Sequence, residues 1–224
     1  MIFTANFDLY KTWEDSERVT HLPYIAVFKK NGKTLIYLAE DHGANLSFDM
    51  TYFCFSEKSP AMPQIALVEY ENVGRPVRSF EIQDNNMIYA AAIASKIGIP
   101  VVYADLSHDE MLGVLQQKHP DEALSIDDVN KALSAGGPSI KRGKYNFLSH
   151  ELDLYGRDPF MIKNITAALN EYDVVLAVFG EGHYRSQRLI LEDMLGKPEY
   201  ITTVPNSRGD FENITITPIK LVHP

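Results

Sequence analysis

The sequence predicts an α/β fold: a mainly parallel central sheet with helices on both faces, an N-terminal β-hairpin and a helical or loop insertion. Three observations predict it. Short apolar runs alternate with helix-patterned stretches through most of the chain, the order that builds parallel sheets. Asp173 to Phe179 (DVVLAVF) is an almost continuous apolar run of the kind a strand buried on both faces shows. It leads through Gly180-Glu181-Gly182, where the chain has room to turn sharply, into an amphipathic helix from His183 to Leu195 that Gly196 and Pro198 end.

The other elements follow in order. Tyr24 to Phe28 and Thr34 to Leu38 are β-rich runs separated by Lys29-Lys30-Asn31-Gly32-Lys33, and Asn-Gly between apolar runs signals a hairpin. Ser47 to Ser56 reads as a short helix, aromatic on one side and closed by Pro60 and Pro63. Gln64 to Tyr70 is the next strand, with Glu69 near its carboxyl end, and Gly74 to Arg78 is turn-rich. Asn85 to Ile97 has helix-favouring composition and stops at Gly98; Pro100 to Ala104 is a further buried strand with Asp105 at its end. Asp109 to Lys118 and Ile126 to Ser134 read as short helices, the second capped by Ser125 with Asp128 at the capping-box position. Gly136 to Arg157 shows little periodicity and reads as a long connection covering the site. Asp158 and Pro159 start a helix running to about Asn170, proline being tolerated at a first helical position. Tyr200 to Val204 and Asn213 to Thr217 are strand-like. The whole reads as one domain over residues 1–224, with an insertion or lid at about 107–157.

Composition narrows the function. A net charge of −9 and a pI near 5.2 argue against nucleic acid or an anionic membrane as the main partner, since both reward basic patches. The one dense basic cluster, Lys141-Arg142-Gly143-Lys144, falls in an expected loop and reads as solvated. Cys54 is the only cysteine, which excludes an intrachain disulfide and a cysteine-based metal cluster; in its aromatic segment it reads as a buried, inert thiol. The amino terminus lacks a basic start and an apolar core of signal-peptide length, and no run has transmembrane length. A reducing, cytoplasmic setting and a small-molecule or peptide substrate are therefore expected, with oligomeric state left open.

The chemistry concentrates where apolar strands end. Ala39-Glu40-Asp41-His42-Gly43 and Gly180-Glu181-Gly182-His183 share a layout of apolar strand, small residue, Glu, one residue, His. Strand-end placement lets such residues converge in one crevice, where open α/β sheets bind ligands. His42 and His183, with Glu40, Glu69 and Glu181, supply two imidazoles and carboxylates. That set suits a divalent metal such as zinc, manganese, cobalt or iron that keeps a position for water, with His42, Glu69 and His183 as ligands. Without metal the same groups serve as general bases, and no cofactor is then needed. The plain alternative is that Glu40 and Glu181 are helix-start carboxylates and Glu69 a strand terminus.

These two motifs resemble the paired G-E-x-H or G-x-x-H motifs of the superfamily that groups the erythromycin esterases, the TraB/Tiki metalloprotease-like proteins and the ChaN-type haem-binding proteins. Ile65 to Glu69 resembles the family strand that ends in a functional Glu, and Arg157-Asp158-Pro159-Phe160-Met161, followed by Asn164, resembles its R-D-x-x-M helix start. The resemblance extends from about Leu35 to Leu195. It implies site roles for Glu40, His42, Glu69, Arg157, Glu181 and His183. It also implies one of three chemistries: metal-dependent peptidase-like hydrolysis, esterase-like hydrolysis in which a His activates water with Glu and Arg assisting, or haem binding without turnover. Ala39 departs from the first motif glycine, and the chain is shorter than the esterases.

Weaker candidates remain. Asp105 either faces the crevice or caps a helix. Arg157 either clamps a carboxylate or oxyanion or pairs with Asp158 or Glu151. His150 enters from the insertion, and Tyr184 either donates to a substrate oxygen or packs. His21, His108, His119 and His223 read as solvent-exposed.

Overall fold

The computed structural model describes residues 2–11, 16, 22–41, 45–70, 81–82, 85–135, 143–205 and 216–222. Its sheet has six strands: β1 (Tyr24–Lys30), β2 (Lys33–Glu40), β3 (Ile65–Val68), β4 (Val101–Tyr103), β5 (Val174–Gly180) and β6 (Glu199–Ile201), in the spatial order β4-β3-β5-β2-β1-β6. From β4 to β2 neighbours are parallel; β1 pairs antiparallel with β2 and β6 with β1. The fold is therefore α/β with a mixed, mostly parallel sheet.

The hairpin turn is Asn31-Gly32, with φ values of 53° and 79°. Two consecutive left-handed residues match the twist of the flanking strands, and Asn and Gly bear that conformation at least cost. The apolar run ending at Phe179 becomes β5, flanked by β3 and β2 and buried from Val175 onward.

The helices are α1 (Asn45–Cys54), α2 (Asn86–Lys96), α3 (His108–Lys118), α4 (Ile126–Ser134), α5 (Lys144–Leu152), α6 (Asp158–Glu171) and α7 (Glu181–Leu195). On one sheet face, Tyr37, Leu67, Ala177 and Phe179 pack with Met161 and Ile165 of α6 and Tyr184 and Leu191 of α7. On the other, Ile36, Ala66, Leu176 and Val178 pack with Met50 and Cys54 of α1 and Met87 and Ala91 of α2. Alternate strand residues thus feed opposite cores, as the two-residue period of a strand requires. A smaller apolar cluster holds α3, α4 and α5 together through Met111, Leu115, Val129, Ala132, Leu148 and Leu152. The caps conform to local chemistry: Asn85 Oδ1 accepts from the N–H groups of Met87 and Ile88, and Ser107–Glu110 and Ser125–Asp128 form capping boxes.

Several expectations are corrected. Residues 143–157 are not an irregular connection: α5 runs into a π-helical turn, Asp153–Arg157, which runs into α6. The expected loop Gly136–Arg142 and the turn Gly74–Arg78 lie outside the described residues. Asp158 and Pro159 do start an α-helix, as expected, but it continues from the π turn rather than from a loop. In a continuous helix the proline ring would clash with the carbonyl four residues back and remove a donor. The π turn accommodates it: the Asp158 N–H bonds to Asp153 O, five residues back, and the widened backbone absorbs the mismatch. Gly180-Glu181-Gly182 is not a sharp turn. Gly180 has φ −60° and α7 begins directly at Glu181, so the strand passes into the helix without a left-handed residue. Of the expected strand Asn213–Thr217, residues 213–215 lie outside the described residues and 216–217 are not in a strand. Further on, Ile219 N–H donates to Val101 O at 2.7 Å, laying the chain along the β4 edge. No helix among the described residues is long and apolar enough to cross a membrane.

Leu176 is fully buried in the central strand. Leu176→Ala is expected to lower the unfolding free energy by about 2–5 kcal/mol in urea titration.

Candidate functional site

Three neighbouring strands end at one place. Glu40, the last residue of β2, is in register with Gly180, the last of β5. Glu69 follows β3, its N–H donating to Val178 O at 3.1 Å. Its carboxylate turns back across the strand end, where Oε2 accepts the Gly180 N–H at 2.7 Å. A donor that the ladder leaves over at the end of β5 is thereby satisfied. The other oxygen, Oε1, accepts from Arg157 Nη2 at 2.7 Å and stands 3.2 Å from His183 Nε2.

Arg157 sits in the last position of the π turn and spends its guanidinium on three carboxylates. Nε lies 3.1 and 3.2 Å from the two oxygens of Asp105, Nη2 lies 2.8 Å from Asp105 Oδ2, and Nη1 lies 3.0 Å from Asp153 Oδ1. The planar fork suits this arrangement in a way a single ammonium does not. Burial by itself would lower the Arg157 pKa, but Asp105, Asp153 and Glu69 outweigh it and hold the group well above its ordinary value. Burial pushes the Asp153 carboxyl up, against the pull of Arg157 and His183.

His183 lies in the first turn of α7 and is only 7% exposed. Its Nδ1 is 2.8 Å from Asp158 Oδ1. The same oxygen accepts from Gln187 Nε2 at 2.6 Å, and Asp158 Oδ2 accepts from the Tyr10 hydroxyl at 2.7 Å. An ionised carboxylate only accepts, so these partners assign a proton to Nδ1. Gln187 lies one helical turn after His183, which puts both side chains on one face. Its Oε1 accepts from the Tyr37 hydroxyl at 3.1 Å. Desolvation works to lower the His183 pKa, yet the charges of Glu69 and Asp158 prevail and hold the imidazole well above its usual value. Both ring nitrogens thus face carboxylate oxygens, an arrangement that favours the protonated ring.

Of the expected site residues, Glu69, Arg157 and His183 are joined in one chain of contacts. Glu40 is buried at the adjoining strand end, and Glu181 is the buried first residue of α7. Two residues along a helix rotate by about 200°, and Glu181 accordingly faces Arg185, with Oε1 3.8 Å from Nε, rather than sharing the His183 face. His42 lies outside the described residues, as do His21 and His223. Asp158, expected at most as a partner of Arg157, binds His183 instead. Asp105 joins the site through Arg157, while Ser107 caps the next helix. Arg157 does not pair with Glu151, which binds His119. His119 is therefore not a solvent-exposed side chain, and His108 and His150 are half-buried. Tyr184 is a core residue, fully buried, with its hydroxyl on Tyr200. Burial pushes the Cys54 thiol up to about 12, in keeping with an inert side chain. Asp153, Gln187 and Tyr10 were not anticipated. The four-residue spacings Asp153–Arg157 and His183–Gln187 carry a local signal for the first two; Tyr10, distant in sequence, carries none.

Comparisons with protein-family models, with curated proteins and with solved structures find no match.

The contacts also bear on a metal at Glu69 and His183. Asp158 orients Nδ1 as outer carboxylates orient metal-bound histidines. Yet Glu69 Oε1 already touches the Arg157 guanidinium and Oε2 holds the Gly180 N–H. A positive charge 2.7 Å from the donor oxygen opposes a divalent cation there. As folded, this pair does not fit a metal. It fits a proton-sharing pair in which His183 Nε2 faces Glu69 Oε1 at 3.2 Å.

Two outcomes follow. Arg157→Met leaves buried carboxylates without their cation and is expected to cost about 3–5 kcal/mol in equilibrium unfolding at pH 7, with Arg157→Lys restoring only part. The folded pKa of His183 lies above its unfolded value of about 6.5. Its contribution to stability is therefore complete below that pH and is lost as the pH rises through the folded pKa. Urea midpoints of the wild type and His183→Gln should converge as the pH is raised.

Proposed function

We propose that the chain is a hydrolase acting on an ester or amide carbonyl by metal-free acid–base catalysis at the carboxyl ends of β2, β3 and β5. The observation that carries this reading is the placement of the His183 ring, with Nδ1 2.8 Å from Asp158 and Nε2 3.2 Å from Glu69, beside Arg157. The resemblance of the Glu40–His42, Glu69, Arg157–Asp158 and Glu181–His183 motifs to the erythromycin-esterase/TraB/ChaN-like superfamily supports it.

The roles divide by charge. A base must be neutral to take a proton, so His42, two residues beyond Glu40, is the general base and His183 the general acid. As water oxygen bonds to the carbonyl carbon, its proton passes to His42 and the carbonyl oxygen becomes an oxyanion, which the His183 imidazolium stabilises electrostatically. As the oxyanion re-forms the carbonyl and the C–O or C–N bond breaks, the leaving group takes the proton that His183 Nε2 otherwise directs at Glu69 Oε1, and solvent restores both imidazoles. Most of Arg157's donors are committed to Asp105, Asp153 and Glu69, so it fixes Glu69 in place. Glu40 and Glu181 are the buried acidic residues that flank the two histidines in sequence.

His42→Ala and His183→Ala are each expected to lower kcat/KM on the best substrate of an ester and peptide panel by about 10²–10⁴-fold, with chelators leaving wild-type activity intact. Unchanged activity in both variants overturns the mechanism. An inert panel, together with a Soret band on haem titration that His42→Ala removes, points instead to a haem-binding protein.

A further inference from the structure

The N-terminal segment reaches the site from outside the sheet. Phe3 is buried in the core that α6 and α7 share, and its backbone is gripped twice by Asn170 of α6: Phe3 N–H donates to Oδ1 at 2.7 Å and Nδ2 donates to Phe3 O at 3.2 Å. A single 3₁₀ turn, Phe7–Leu9, follows, capped by Asn6, whose Oδ1 accepts from Asp8 N–H. This anchored strap delivers Tyr10, with its hydroxyl 2.7 Å from Asp158 Oδ2. The second arm onto the same carboxylate comes from the sheet. Tyr37 in β2 donates to Gln187 Oε1, so the amide nitrogen must face Asp158, where it donates at 2.6 Å. A carboxylate accepts and cannot donate, which fixes the amide's orientation. Burial, then the charge of Asp158, push the Tyr10 phenol well above its usual value, so it stays a donor.

We propose that Tyr10 is a positioning residue of the site: its hydroxyl holds one oxygen of Asp158 while Gln187, locked by Tyr37, holds the other, so that Asp158 keeps His183 Nδ1 protonated and Nε2 directed at Glu69. The role in turnover rests on the hydrolase reading; the role in holding His183 does not. Without the Tyr10 donor, Asp158 turns more freely and the Nδ1 proton exchanges faster with water. Gln187 and Tyr37 act at the opposite oxygen, so losing the Tyr37 hydroxyl frees the amide to flip and has the same sense of effect through a different element.

The test uses the full chain labelled with ¹⁵N-histidine, the Nδ1 proton of His183 being identified by its absence in His183→Gln. In Tyr10→Phe, which keeps the ring, that proton is expected to exchange several-fold faster with water, and kcat to fall about tenfold with KM within about twofold. Tyr37→Phe is expected to accelerate exchange as well, and serves if Tyr10→Phe folds poorly. An exchange rate unchanged in both folded variants overturns the proposal, even if their melting temperature falls, because a merely structural tyrosine would act in that way. Faster exchange with no wild-type hydrolysis of any substrate supports the positioning role and sinks the hydrolase reading alone.

Discussion

The Glu69 carboxylate ties the sheet to the helices at the carboxyl ends of β3 and β5. One oxygen closes the end of β5 by taking the Gly180 N–H; the other meets the guanidinium of Arg157 and the imidazole of His183. A buried charge is expensive unless paired and hydrogen-bonded. This one is paired with groups from the π turn before α6 and from the first turn of α7, so neither helix can shift without uncovering charge. The sheet order makes the meeting possible. Because β5 lies between β3 and β2, Glu69 and Glu40 flank the point where β5 becomes α7.

The π turn decides how two adjacent residues divide their work. Arg157 points to Glu69, Asp105 and Asp153, whereas Asp158 points to His183, Gln187 and Tyr10. Proline at 159 and the five-residue hydrogen bond at Asp158 belong to the same local widening of the helix. Such insertions are placed at functional sites often enough to be informative. Here the turn sets a cation and an anion side by side, each with partners of opposite charge.

The state of His183 follows from what surrounds it. Histidine in a low-dielectric pocket would ordinarily be neutral, and a neutral imidazole is a metal ligand or a base. Two carboxylates against its two nitrogens oppose that outcome and favour the protonated ring. The balance between the neutral and the protonated ring thus lies in Asp158 and Glu69, and neither is adjacent to His183 in the chain.

The sequence by itself determined the elements whose causes are local. The apolar run of β5, the Asn31-Gly32 turn, the capping boxes at Ser107 and Ser125 and the stop at Gly98 each arise from residues a few positions apart. The strand-end positions of Glu69 and Glu40 and the helix start before His183 were legible for the same reason, since the ends of apolar strands can be read from pattern. Tertiary structure decided what period and composition do not encode. Residues 143–157 form helix because they pack into the small cluster of α3 and α4, an outcome their weak periodicity does not announce. Tyr10 reaches Asp158 across 148 positions, and Arg157 reaches Glu69 across 88. Hydrogen bonds between distant residues depend on where the sheet and helices bring them, so the partners of Asp158, and with them the charge on His183, were fixed only when the chain closed.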